Sequence, residues 1–193
     1  MAIKHWQILL GKLNVVDKGG LTVLPKPTDQ SLDAFEASSG VRLPESYREF
    51  IKLFGPGELI WEFRFFAPGY AQQPHADLLT FNTELKAGFS HRFLKSLKDP
   101  DKVRHLVFFC RSSTGDLFGW NPNDVRAAKR HEYGVYKLGR KNAAEDVASS
   151  FQEFIESTVM SKRNLKPPKW NAADLGPRNI FDPAVELPQR SGG

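Results

Sequence analysis

The segment from Leu43 to Gly57 constrains the fold more than any other part of the chain. Pro44 suits a first helical position, because its missing N–H would find no intrahelical partner there. Tyr47, Phe50, Ile51 and Phe54 follow at i, i+3, i+4 and i+7. That spacing sets four apolar side chains on one stripe of a helix, a stripe that must be buried against another element. Gly55-Pro56-Gly57 then stops the helix sharply. Upstream, Thr28 is placed as N-cap of a helix from Asp29 to about Ser39, with Asp29 favouring its positive end. Gly40 is placed to end that helix in a left-handed conformation.

The rest of the chain must supply the surface on which this aromatic face packs. In Glu58–Phe66, Trp61, Phe63 and Phe65 alternate with Glu62 and Arg64, which predicts one strand with one buried face. All four aromatics, Phe66 included, read first as core; Phe66 is out of phase with the others, which leaves exposure of its ring as the alternative. Residues 77–97 suit a helix, with Leu78, Phe81, Leu85, Phe89, Phe93 and Leu94 on one side. His105–Cys110 is a short apolar run and reads as a strand; Ser113–Asp116 is a turn, and Leu117–Trp120 completes a hairpin. Asn121–Asp124 reads as another turn, and Tyr133–Leu138 as a third strand. A terminal helix is expected from about 145 to 159, with Phe151, Phe154 and Ile155 as its stripe. Near the N-terminus Ile3, Trp6, Leu9, Leu10 and Leu13 fit a short amphipathic helix over 3–13. Two helices, a strand, a long insertion, a hairpin, then a strand and a helix make an α+β pattern. The expected architecture is N-terminal helices packed on a mostly antiparallel sheet, with a C-terminal helix.

At 193 residues the chain fits one domain, over 1–160, and 40% hydrophobic and 12% aromatic residues are enough for a sizeable core. Residues 161–193 hold five of the thirteen prolines and six basic against three acidic residues, and read as an extended or disordered basic tail. Trp170 and Ile180-Phe181 are its candidate pins to the body. The net charge of +5 lies mostly there, so the body is nearly neutral and nucleic-acid binding, through the tail alone, is a minor reading. The single cysteine, Cys110, cannot form an internal disulfide, which fits a reducing compartment. No convincing signal peptide opens the chain, and no run approaches the roughly 18 apolar residues of a membrane helix. A cytoplasmic protein is expected.

No catalytic, metal or cofactor site is expected. His5, His75, His91, His105 and His131 are scattered without metal-ligand spacing. Cys110 ends an apolar run and reads as a core residue. Gly55-Pro56-Gly57 lacks the lysine and length of a phosphate-binding loop, and no nucleophile elbow surrounds Ser112 and Ser113. Asp116 after Gly115 reads first as a turn-shaping carboxylate. Arg64, Phe66, Asp116 and Trp120 are the candidate partner-binding residues: two charged groups on the predicted strand and turn, and two aromatics that could anchor a partner.

The order of these words resembles a known superfamily. Leu32, Phe35, Glu36, Gly40 and Leu43-Pro44, then Tyr47, Phe50 and Ile51 and a glycine-rich break, are similar to the opening of SUKH domains. Phe108-Phe109-Cys110 with Gly115-Asp116-Leu117-Phe118-Gly119-Trp120 resembles their strand–turn–strand segment, and Ser150-Phe151 with Phe154-Ile155 their last helix. The resemblance covers about 28–158. This superfamily includes fungal cell-wall-synthesis regulators of the Smi/Knr type and bacterial toxin-immunity proteins. It implies a non-enzymatic module that binds a protein partner, as an immunity protein neutralising a cognate toxin or, alternatively, as a regulatory scaffold. The insertion between 67 and 104 is long for such a domain, and the tail has no counterpart in it.

Overall fold

A computed structural model describes residues 2–166 and 178–187. Its elements are α1 (Ala2–Leu10), β1 (Asn14–Val15), α2 (Asp29–Ser39), α3 (Glu45–Phe54), β2 (Gly57–Leu59), β3 (Phe63–Phe65), α4 (Leu78–Ala87), α5 (His91–Ser96), α6 (Pro100–His105), β4 (Val107–Ser112), β5 (Leu117–Ala127), β6 (Glu132–Leu138), β7 (Ala144–Ala148), α7 (Phe151–Glu153) and β8 (Ile180–Pro183). The strands form one eight-stranded sheet in the order β1-β8-β2-β3-β4-β5-β6-β7. Every pairing is antiparallel except β1 with β8. This is the expected α+β architecture, a single domain with helices on a mostly antiparallel sheet.

The two N-terminal helices form as their caps dictate. Thr28 accepts the Ser31 N–H, Ser31 returns the bond to the Thr28 backbone, and Gly40 closes α2 at φ 68°. The Glu36 carboxylate then reaches across this turn, accepting the Leu43 N–H at 2.9 Å and Arg48 Nη1 at 3.0 Å. Pro44 takes the cap position of α3 rather than its first turn, with φ −56° and ψ 137°. The stripe is buried as predicted: Tyr47, Phe50 and Ile51 are inaccessible and Phe54 nearly so. Burial of each such side chain contributes about 1.5–3 kcal/mol. Phe50 touches Trp6 of α1, Phe65 of β3 and Phe151 of α7. Trp6, Tyr47, Phe109 and Phe151 thereby join helices and sheet in one aromatic core.

The other sheet face is covered in part by α4–α6, through a smaller core of Leu97, Val103, Leu106, Phe108, Leu117, Tyr136 and Leu138. The predicted helix over 77–97 is two helices, because α4 ends at Gly88 and Ser90 caps a new one at the Phe93 N–H. The long insertion is therefore the lid of a second core.

Five other differences follow. Glu58–Phe66 is a hairpin, not one strand: Ile60 and Trp61 both take positive φ, 53° and 58°, and reverse the chain. Asn121–Asp124 is not a turn but an irregular part of β5, where the register shifts between Trp120 and Val125. The first part of the expected terminal helix is strand β7, whose backbone pairs with β6. Beyond α7 the chain winds as a π-helix over Phe154–Val159, with Met160 N–H donating to the Ile155 carbonyl. Finally, Ile180–Pro183 is an interior strand of the sheet, so the domain recruits residues from beyond 160. Phe181 is 2% exposed and meets Phe54 edge-on at 5.3 Å. Gly57 makes room for it: a Cβ there would lie 2.5 Å from the Asp182 carbonyl and 2.8 Å from the Phe181 ring. Trp170 lies outside the described residues. Among those described, no helix is long and apolar enough to cross a membrane.

Candidate interaction surface

Two of the four candidate residues are core. Phe66 is 4% exposed and stacks on Phe81 at 3.7 Å, so α4 covers the ring that strand phase alone would expose. Its carbonyl accepts the Tyr47 hydroxyl at 2.6 Å. Trp120 is inaccessible, packed 5.0 Å from Phe109 and 4.9 Å from Tyr47. Neither offers side-chain surface to a partner. Arg64 and Asp116 do reach the surface, and the sheet brings them to one end.

That end is built around the Ser112–Asp116 turn. Gly115 at φ 88° lets the chain reverse. The Ser112 hydroxyl accepts the Asp116 N–H at 3.0 Å and pairs with the Thr114 hydroxyl at 2.9 Å. Asp116 pairs with Lys137 of β6 at 2.8 Å, so it fastens β5 to β6 as well as ending the turn. Beside it lies a polar cleft of about 540 Å³ with Phe63 and Phe118 at its base, bounded by Glu62, Asp116, Lys137 and Arg163. The π-helix adds the hydroxyls of Ser157 and Thr158 to its wall. Two smaller depressions adjoin it. One runs past Lys137 to Arg140, Lys141 and Glu145; the other lies on the sheet face over Glu58, Glu62, Arg64 and Arg111.

The β2–β3 turn stands alongside, since the Ser113 N–H donates to the Glu62 carbonyl at 2.7 Å. Here the sequence pattern misled. Trp61 keeps the alternation of a buried strand residue yet occupies the second of two left-handed turn positions, where its ring is 42% exposed. The turn closes through Glu62 N–H to the Leu59 carbonyl at 3.1 Å. Turns with positive φ at both central positions favour Asn and Gly. An Ile-Trp pair in that conformation is strained, by about 1–3 kcal/mol per residue. The fold tolerates the strain because Ile60 is buried, with its N–H bonded to the Ile180 carbonyl at 2.8 Å.

The thiol and one phenol of the core are buried. Burial pushes the Cys110 thiol well above its ordinary pKa, with the nearby Glu58 charge adding to the effect. Burial does the same to the Tyr47 phenol. Among the described residues, no three His, Cys, Asp or Glu side chains gather closely enough to hold a metal ion.

The family model described as SMI1 / KNR4 family (SUKH-1) matches residues 26–157. The chain belongs to the SMI1/KNR4 family. A comparison with curated proteins finds none that matches. The matched span of this SUKH-1 domain runs from α2 into the π-helix, ending two residues before its close, and leaves out α1, β1 and β8. The residues that carry the family resemblance perform structural work here. Glu36 latches the turn after α2, Gly40 reverses it, Tyr47 ties α3 to Phe66, and Phe151 fills the core. The turn end of the SUKH-1 sheet carries exposed groups instead, Trp61, Arg64, Arg111, Arg140 and Arg163, with the half-buried Asp116 among them. Of these, only Arg64 and Asp116 were signalled by sequence.

Proposed function

We propose that this SUKH-1 domain is a non-catalytic protein-binding module that grips its partner with the turn end of the sheet, and that the partner is a cognate toxin which the domain neutralises in the cytoplasm. The observation that carries this reading is Trp61. A large aromatic held about half-exposed on a strained turn has the profile of an interface anchor. The polar cleft and charged rim begin at the next residue, Glu62, and set an aromatic anchor beside polar surface, as in the usual anatomy of a protein interface. Family membership supports it, since the SUKH superfamily includes toxin-immunity proteins and is generally non-catalytic. Inhibition would be steric and electrostatic: a rigid sheet end seated over the partner's active site.

Affinity capture from the native source, with wild-type and Trp61→Ala baits side by side, tests this. The expected result is one dominant protein retained by the wild type and lost from the variant, corresponding to about a thirtyfold weaker complex for a hot spot of about 2 kcal/mol. Equal recovery on both baits, with unfolding temperatures unchanged, refutes the assignment to this surface.

A further inference from the structure

Resting on the reading of the turn end as an interface, we infer that the partner face seated there is acidic, a protein surface rich in carboxylates. The argument comes from which charges are already satisfied. Four carboxylates line the cleft and its two neighbouring depressions, and each has a cation. Asp116 pairs with Lys137 at 2.8 Å, Glu145 with Lys141 at 3.3 Å, Glu58 with Arg64 at 3.4 Å and Glu62 with Arg178 at 3.8 Å. Three exposed arginines on the same rim, Arg111, Arg140 and Arg163, have no carboxylate within ion-pair distance among the described residues. Among the described residues lining this end, the surplus charge is therefore entirely guanidinium.

Arg111 makes the point most sharply. It sits directly opposite Arg64 across β3 and β4, on the part of the sheet face that α4–α6 leave open. Like charges facing each other across a ladder oppose pairing. Glu58 relieves Arg64 from the far side, but no carboxylate among the described residues relieves Arg111. A carboxylate arriving from outside would meet a planar fork that binds it bidentately. Each arginine lines a different one of the three depressions, Arg163 the cleft, Arg140 and Arg111 its two neighbours, so a partner with spaced acidic groups can engage them together while Trp61 enters an apolar site.

The same arrangement argues against nucleic acid. Phosphates would present unbroken negative charge to a rim that interleaves four fixed carboxylates with its cations. A protein surface can place its carboxylates against the arginines and other groups against the acids.

Random peptides displayed on phage, panned on the full chain and in parallel on Trp61→Ala and on the Arg111→Ala/Arg163→Ala double variant, test the inference. Peptides enriched on the wild type over Trp61→Ala are expected to be acidic, to bind about tenfold more weakly to the double-arginine variant, and to elute with salt. Enriched peptides that are neutral or basic overturn the acidic-partner inference and leave the protein-binding surface standing. No enrichment over Trp61→Ala overturns the surface itself, and the inference with it. An oligothymidylate that binds the wild type more tightly than the selected peptides at equal ionic strength also overturns it. Matching circular dichroism and unfolding temperatures for the variants confirm that folded proteins are being compared.

Discussion

Replacing Glu132 by alanine tests how this fold holds its helices on its sheet. The carboxylate opens β6, is 4% exposed, and serves two helix starts at once. It accepts the Ser46 N–H at 2.9 Å, the Ser46 hydroxyl at 2.7 Å and the Phe151 N–H at 3.4 Å. Ser46 lies in the first turn of α3 and Phe151 opens α7, so the charge faces two positive helix ends. Glu132→Ala leaves these donors without their acceptor, and a buried unpartnered donor costs about 1–3 kcal/mol. The Ser46 hydroxyl can turn to another acceptor and the Phe151 bond is long, so the summed loss comes to about 3 kcal/mol. In a chain of this length, that lowers the unfolding temperature by about 6–12 °C. Glu132→Gln keeps one acceptor oxygen and costs about 1–2 kcal/mol. Urea unfolding followed by circular dichroism measures both, and a cycle with Ser46→Ala isolates the pairwise part, expected at about 1 kcal/mol or more. If Glu132→Ala falls within about 0.5 kcal/mol of wild type, a surface-like change, the carboxylate is not the joint described here.

Three further tests address other links. Tyr47→Phe keeps the aromatic packing but leaves the Phe66 carbonyl without its 2.6 Å donor; a loss of about 1–2 kcal/mol in urea unfolding is expected, and an unchanged midpoint contradicts it. Asp124 is held below the usual carboxylate range, first by its hydrogen bond from Arg126 and also by the Tyr136 hydroxyl. A carboxyl lowered in the folded state adds stability above its unfolded value, near pH ~3.9, and that stability is lost as the pH falls through the lowered folded value. Asp124→Asn should therefore flatten the acid limb of a stability-against-pH curve; identical limbs would show that the Arg126 pairing contributes nothing. The Cys110 thiol is buried and its ionisation opposed, so a thiol-specific disulfide reagent should react slowly with native protein and at once in denaturant. Fast native reaction would mean that β4 opens readily.

What the sequence determined by itself was the scaffold. Thr28, Gly40, the stripe from Tyr47 to Phe54, the Gly115-Asp116 turn and the Phe151–Ile155 cluster act through local propensity and periodicity. Their consequences can be read within a few residues of where they stand, and the family opening is written in the same residues. The tertiary structure decided the rest, because each remaining outcome depends on a neighbour distant in the chain. Phe66 is buried because Phe81 arrives from the insertion, and Trp120 because Tyr47 and Phe109 enclose it. Ile180–Pro183 becomes a strand because β2 offers an unpaired edge and Gly57 a gap for Phe181. Ile60 and Trp61 turn without Asn or Gly because the buried Ile60 and its bond to Ile180 outweigh the local strain. That reversal exposes Trp61, which the alternation assigned to the core. The rim arginines were silent in the sequence for a related reason. A charge is unpaired only with respect to its neighbours in space, and Arg111, Arg140 and Arg163 acquire theirs, or lack them, only when the sheet is assembled.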